Sequence, residues 1–300
     1  MNRAKSCLAG VMVLGAAMQA AATENYGGAY PNGAEGIMAG ALPPPGQYII
    51  NYAMYYGAEA LNGGNGHTIP GADFTLRAYA DTVRFVNVTE ITVLGGSWAQ
   101  HIFVPMVGLN ASVNTPGGRI KDANFGLGDI IVDPFIVGWH QPPFHWVVGL
   151  DVYIPVGKYH DTSFANIGRN YWTFEPVAGV TYLNEGGQEV SAKLMYDFNT
   201  RNPDTDYTSG QEFHTDFFVG QHLGNWTVGA GGYWYCQTTD DRQNGAVAMG
   251  NGNRGRQVAL GPQASYQCGP LNVSLAWDRE FATENRPQGD KVWLKAVIPL

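Results

Sequence analysis

Side-chain character alternates along this chain with a period of two, in repeated runs of about 10 to 14 residues, a pattern few folds can use. In Trp146–Ile154, Trp146, Val148, Leu150, Val152 and Ile154 share one face, and Val147, Gly149, Asp151 and Tyr153 share the other. In Glu189–Thr200, Val190, Ala192, Leu194, Tyr196 and Phe198 oppose Ser191, Lys193, Met195, Asp197 and Asn199. Leu271, Val273, Leu275 and Trp277 oppose Asn272, Ser274, Ala276 and Asp278. Successive strand side chains point to opposite faces, so each run pairs an apolar face with a mixed one. Oil on one side and water on the other would sort side chains this way.

Twelve such runs are predicted as strands: 47–58, 78–93, 98–113, 125–139, 144–157, 171–184, 189–200, 211–223, 226–238, 256–268, 271–281 and 290–300. Short connections (94–97, 140–143, 185–188, 224–225 and 269–270) alternate with long ones (59–77, 114–124, 158–170, 201–210, 239–255 and 282–289). A soluble sandwich has no reason to alternate so regularly. The predicted fold is all-β: a transmembrane antiparallel β-barrel of about twelve strands, with short periplasmic turns and long extracellular loops. An even strand number puts both chain ends on the periplasmic side. The last strand alternates through Val292, Leu294, Ala296, Ile298 and Leu300, as a closing seam requires.

The first residues fit export. Arg3 and Lys5 precede an apolar block from Leu8 to Met18, and Ala20-Ala21-Ala22 supplies a small-residue cleavage site, which predicts a signal peptide over 1–22. The block is too short to span a bilayer as a helix. No later stretch reaches that length, so a membrane role needs a closed barrel. The net charge of −8 argues against nucleic acid as a partner. Cys236 and Cys268 fall at opposite ends of neighbouring strands. Ten residues at about 3.3 Å separate them by roughly 30 Å, far beyond the ~7 Å that a disulfide spans, so two free thiols are expected.

The mixed faces collect the candidate lumen-lining residues Arg84, Glu90, Asp129, Asp133, Asp151, Glu175, Lys193, Asp197, Glu212, His214, Asp216, Asp278 and Lys295, with His145, His222, Glu280 and Lys291 beside them. Two readings stay open: a water-filled selective lumen, or ion-pair networks filling a narrow barrel. Glu212, His214 and Asp216 share one face near the outer end of their strand, a pattern reminiscent of the barrel proteases called omptins. Polar side chains satisfying one another are the simpler reading, and no enzyme activity is expected. The seven His show no zinc-type spacing, so no metal or cofactor is expected. The Gly-, Ala- and Pro-rich segment 23–46 is either a periplasmic tail or a lumen plug. As a plug it would shelter Tyr30, Ile37, Met38 and Leu42. Tyr55-Tyr56, Trp139, Trp146, Tyr171-Trp172, Trp226, Tyr233-Trp234-Tyr235 and Trp293 are expected in two interfacial girdles, although Tyr233 and Tyr235 could instead line a solute path.

The segment Gly27–Tyr48 carries a resemblance. Tyr30-Pro31-Asn32-Gly33-Ala34-Glu35, followed by Gly40-Ala41-Leu42-Pro43-Pro44-Pro45-Gly46, resembles the N-terminus of the family catalogued as putative MetA-pathway of phenol degradation proteins. The similarity continues through Asn51-Tyr52 and Gly126-Leu127-Gly128-Asp129 into Asp133-Pro134. It implies an outer-membrane barrel of the transporter or channel kind and links some members to aromatic degradation. The expected function is passive uptake of small hydrophobic or aromatic solutes across a Gram-negative outer membrane. Lipid, such solutes and the barrel-assembly machinery are the expected partners. A rim hydrolase and an adhesive or structural barrel are the alternatives.

Overall fold

The structure is a computed structural model that describes residues 23–24, 27–115 and 118–300. The signal-peptide expectation lies outside the described residues. Twelve strands form one antiparallel sheet: β1 (Gly46–Leu61), β2 (Thr75–Val93), β3 (Gly96–Thr115), β4 in two pieces (Gly118–Leu127 and Ile130–Gln141), β5 (Phe144–Ile154), β6 (Thr173–Leu183), β7 (Gln188–Asn199), β8 (Glu212–Leu223), β9 (Trp226–Gln237), β10 (Arg256–Cys268), β11 (Leu271–Glu284) and β12 (Pro287–Pro299). Each strand pairs with the next. β1 also pairs with β12, from Tyr48↔Pro299 to Leu61↔Pro287, so the sheet closes and leaves no edge.

The alternation is resolved as two solvents would resolve it. Phe85, Leu194, Leu275, Trp277 and Leu294 stand exposed on the outer surface, while Asp151, Glu175, Asp197, Asp216 and Asp278 are buried within. So much large apolar surface cannot face water, whereas a hydrocarbon bath removes its cost. Helices play no part in the wall: no helix among the described residues is long and apolar enough to cross a membrane.

Local chemistry explains the irregular points. The β2–β3 turn places Leu94 and Gly95 at φ 51° and 79°. That is the double left-handed turn whose twist suits a tight hairpin. β4 breaks at Gly128-Asp129, opposite Pro105 of β3. The Gly128 N–H donates to the Pro105 carbonyl at 2.9 Å, but proline has no N–H to return, so the ladder cannot continue in register.

Two long connections expected from the sequence are instead strand. Residues 114–124 and 282–289 are mostly continuations of the β3–β4 and β11–β12 hairpins, which rise beyond the others. Alternation weakens there because neither face meets lipid. Cys236 and Cys268 are free thiols. Cys236 pairs across the ladder with Arg256, at the opposite end of β10 from Cys268.

Candidate functional site

Residues 27–42 run inside the barrel, and the wall reaches them through backbone and side chains alike. Gly-, Ala- and Pro-rich sequence forms little secondary structure of its own, so its backbone groups look to the wall for partners. Asp216 of β8 is one anchor. Its carboxylate accepts from Tyr30 Oη (2.6 Å), Gly33 N (2.8 Å) and Glu35 N (3.0 Å). Glu189 of β7 accepts from Met38 N at 2.6 Å, and Thr181 Oγ1 of β6 from Gly40 N at 2.9 Å. Lys291 of β12 donates to the Asn32 carbonyl at 2.8 Å.

Glu35 is the ionic hub. Its Oε1 accepts from Tyr52 Oη (2.7 Å) and Arg84 Nη1 (3.0 Å), and its Oε2 from Lys295 Nζ (3.1 Å). Burial pushes its carboxyl up, but Lys295, Arg84 and Lys193 outweigh that and hold it well below the usual carboxylate range. One side chain thus ties the inner segment to β1, β2 and β12 together.

The upper end of the segment meets the loops. Thr23 N donates to Asp241 Oδ2 at 3.1 Å, and Glu24 accepts from Asn202 and Thr205, each at 2.7 Å. A small sheet of Tyr207–Thr208, Arg242–Gln243 and Ala246–Val247 stands beside them. Burial pushes the Asp241 carboxyl up to about 6, against the opposing donors Tyr207 and Gly210. β1 begins at the short-turn end of the barrel, whereas Thr23 sits at the long-loop end, so the segment traverses the lumen. The sequence alone left a tail and a lumen position open, because nothing in a Gly/Pro-rich run says where it lies.

Between the inner segment and the β1–β4 wall lies a cavity of about 280 Å³. Met54, Phe74, Leu76, Phe103, Leu109 and Ile131 line its apolar side, and Lys193, Lys291 and Arg286 bring charge to the other. The β5–β6 loop folds over it with Phe164 and Ile167. Asp129 holds that loop down by accepting from Gly157 N (2.9 Å) and Arg169 N (2.8 Å).

The other candidate residues sort as follows. Arg84, Asp133, Asp151, Glu175, Lys193, Asp197, Glu212, His214, Asp216, Asp278 and Lys295 are buried or half-buried on the inner face. Asp133 is taken up by the wall itself, accepting from Phe135 N and Leu150 N where the β4–β5 register shifts. Glu90 is not a lumen residue: it is exposed at the short-turn end of β2, where the β2–β3 register shifts and the alternation loses its meaning. Asp129 lies at the β4 break rather than within a strand. His145 pairs with His140, Nδ1 to Nδ1 at 2.8 Å, beside an exposed turn. Glu212, His214 and Asp216 are not a rim constellation: all three are almost fully buried, beneath the loops and the inner segment.

The aromatic expectation divides. Tyr55, Trp172, Trp226 and Trp234 are exposed on the outer surface, and Trp139 stacks with Trp146 near the short turns. Tyr171, Tyr233, Tyr235 and Trp293 are buried, and Tyr56 turns inward to donate to Glu280 at 2.8 Å. Aromatic pairs such as Tyr55-Tyr56 cannot both face lipid in a strand, since neighbours alternate. Glu35, His101, Glu189 and Arg286 are further buried or half-buried polar residues of the interior that alternation alone does not single out. The one usable signal for Glu35 was a lone carboxylate in an otherwise uncharged stretch.

A closed antiparallel wall, apolar outside and ionic within, with tight turns at one end, defines a β-barrel of the outer-membrane type. The chain belongs to the family described as putative MetA-pathway of phenol degradation, whose profile matches residues 58–296. Its fold is similar to that of an outer membrane channel from Pseudomonas putida, with TM-score 0.72 and 14% identity over 89% of this chain and 99% of that one. It is also similar to the translocator domain of the autotransporter NalP from Neisseria meningitidis, with TM-score 0.50 and 10% identity over 86% of this chain and 90% of that one. No curated relative matches the sequence.

Proposed function

We propose that this protein is an outer-membrane channel through which small hydrophobic or aromatic solutes diffuse. The cavity beside the inner segment carries this reading. An apolar cavity of about 150 Å³ accommodates a benzene-sized molecule, and the space here is about 280 Å³. A mostly apolar wall facing a few fixed charges suits a ring bearing one polar substituent better than a sugar. The inner segment lies across the route, so passage requires it to shift, and its polar anchors set the cost of that shift. No energy source is needed for flow down a gradient, and family membership agrees with a role in handling aromatic compounds.

Uptake into proteoliposomes tests this. Phenol-type aromatics should enter faster than sugars of similar mass, and deleting 24–44 should raise single-channel conductance. Equal rates for both solute classes would overturn the assigned selectivity. An unchanged current after the deletion would show that the inner segment does not limit flow.

A further inference from the structure

Glu175 of β6, Asp197 of β7 and His214 of β8 converge on one point of the inner wall. Their exposures are 0%, 0% and 1%. His214 Nε2 stands 3.3 Å from Glu175 Oε2 and 3.4 Å from Asp197 Oδ1. Neither contact has hydrogen-bond geometry, and among the described residues neither oxygen of Asp197 has a hydrogen-bond partner. Burying a carboxylate with no partner is costly, so such a group points to something held between it and its neighbours.

We propose that Glu175, Asp197 and His214 form a binding site for one zinc-type divalent cation. The spacing supports this. Two atoms bound to a tetrahedral metal at about 2.0–2.1 Å stand about 3.3–3.4 Å apart, and both measured edges have that length. The donor set of one imidazole nitrogen and two carboxylate oxygens suits zinc and its first-row neighbours. A neutral imidazole with two carboxylates carries two negative charges, which a divalent ion balances. Tyr153 Oη donates to Glu175 Oε2 at 3.2 Å, orienting that ligand from outside the cluster. The Tyr30 ring lies 5.0 Å from the His214 ring, so the inner segment covers the site.

A second trio shows what a satisfied cluster looks like. His101, Asp133 and Asp151 are also close and buried. There, however, His101 Nε2 lies 2.7 Å from Asp151 Oδ1, and both Asp133 oxygens accept backbone N–H groups. That trio is complete as it stands and needs no ion.

The test is zinc stoichiometry on the full chain in detergent, stripped with chelator and then equilibrated with buffered micromolar Zn²⁺. The background is H140A/H145A, which removes the exposed histidine pair as a competing site. About one zinc per chain is expected. D197N, E175Q and H214Q should each weaken binding by more than the ~100-fold that losing an outer-shell partner costs, and H101Q should leave the stoichiometry unchanged. Co²⁺ loading should give a tetrahedral visible spectrum that H214Q abolishes. Heat-dependent gel migration confirms that each variant has folded. If the folded parent binds no zinc, or if D197N and E175Q bind as tightly as it does, the cluster is an imidazolium held by two carboxylates and the metal site is refuted.

Discussion

Replacing Glu35 by glutamine should loosen the inner segment more than any other single isosteric change there. The Glu35 side chain is 14% exposed, and its partners Arg84 and Lys295 are 15% and 14% exposed. Removing one partner of a buried ion pair costs about 3–5 kcal/mol, because the remaining charges stay buried without compensation. Glutamine still accepts from Tyr52 and Arg84, which argues for the lower end, about 3 kcal/mol. At about 1.36 kcal/mol per tenfold change, that shifts the docked-to-released equilibrium by roughly 150-fold. Single-channel recording in planar bilayers reads this as open probability, with unit conductance of the open state unchanged. Y30F is the graded comparison: it removes one hydrogen bond to the Asp216 carboxylate, worth about 1.5 kcal/mol and so roughly a tenfold shift. If folded E35Q gates as the parent does, Glu35 does not hold the segment and the assigned gating fails.

Three other outcomes follow from separate parts of the structure. A Cβ on Gly40 would come within 2.4 Å of the Thr181 backbone nitrogen, so G40A should undock the segment by about 1–3 kcal/mol, visible as raised open probability. Leu294 faces outward at mid-strand, and L294R should cost about 2–4 kcal/mol in urea unfolding from bilayers, whereas the same change in water-facing wall would cost almost nothing. Asp241 has its folded pKa raised by burial to about 6, against about 3.9 unfolded. The packed loops therefore hold the proton more tightly than the open ones, and their extra stability is complete below about pH 3.9 and lost as pH rises through 6. Hydrogen-exchange protection factors near Thr208 and Gly210, taken relative to the intrinsic exchange rate at each pH, should be higher at pH 5 than at pH 8, and D241N should flatten that difference.

The wall is written in the alternation. Strict alternation in Val190–Phe198 or Leu271–Asp278 fixes which side chains meet lipid, because a one-residue slip would reverse every one of them. Turn chemistry at Leu94-Gly95 and the length asymmetry of the connections fix which end is which. The interior arises from barrel closure instead. Glu35, Asp216 and Lys291 are distant in sequence and come together because the sheet closes and draws residues 27–42 through the lumen. Glu90 obeys the local pattern yet stands exposed at the short-turn end, where the β2–β3 register shifts. Tyr56, Tyr233 and Trp293 carry the composition of a membrane girdle but fill the core. Local periodicity reports which solvent a side chain prefers. Which partner it finds across the barrel depends on closure and on the path of a segment with no periodicity of its own.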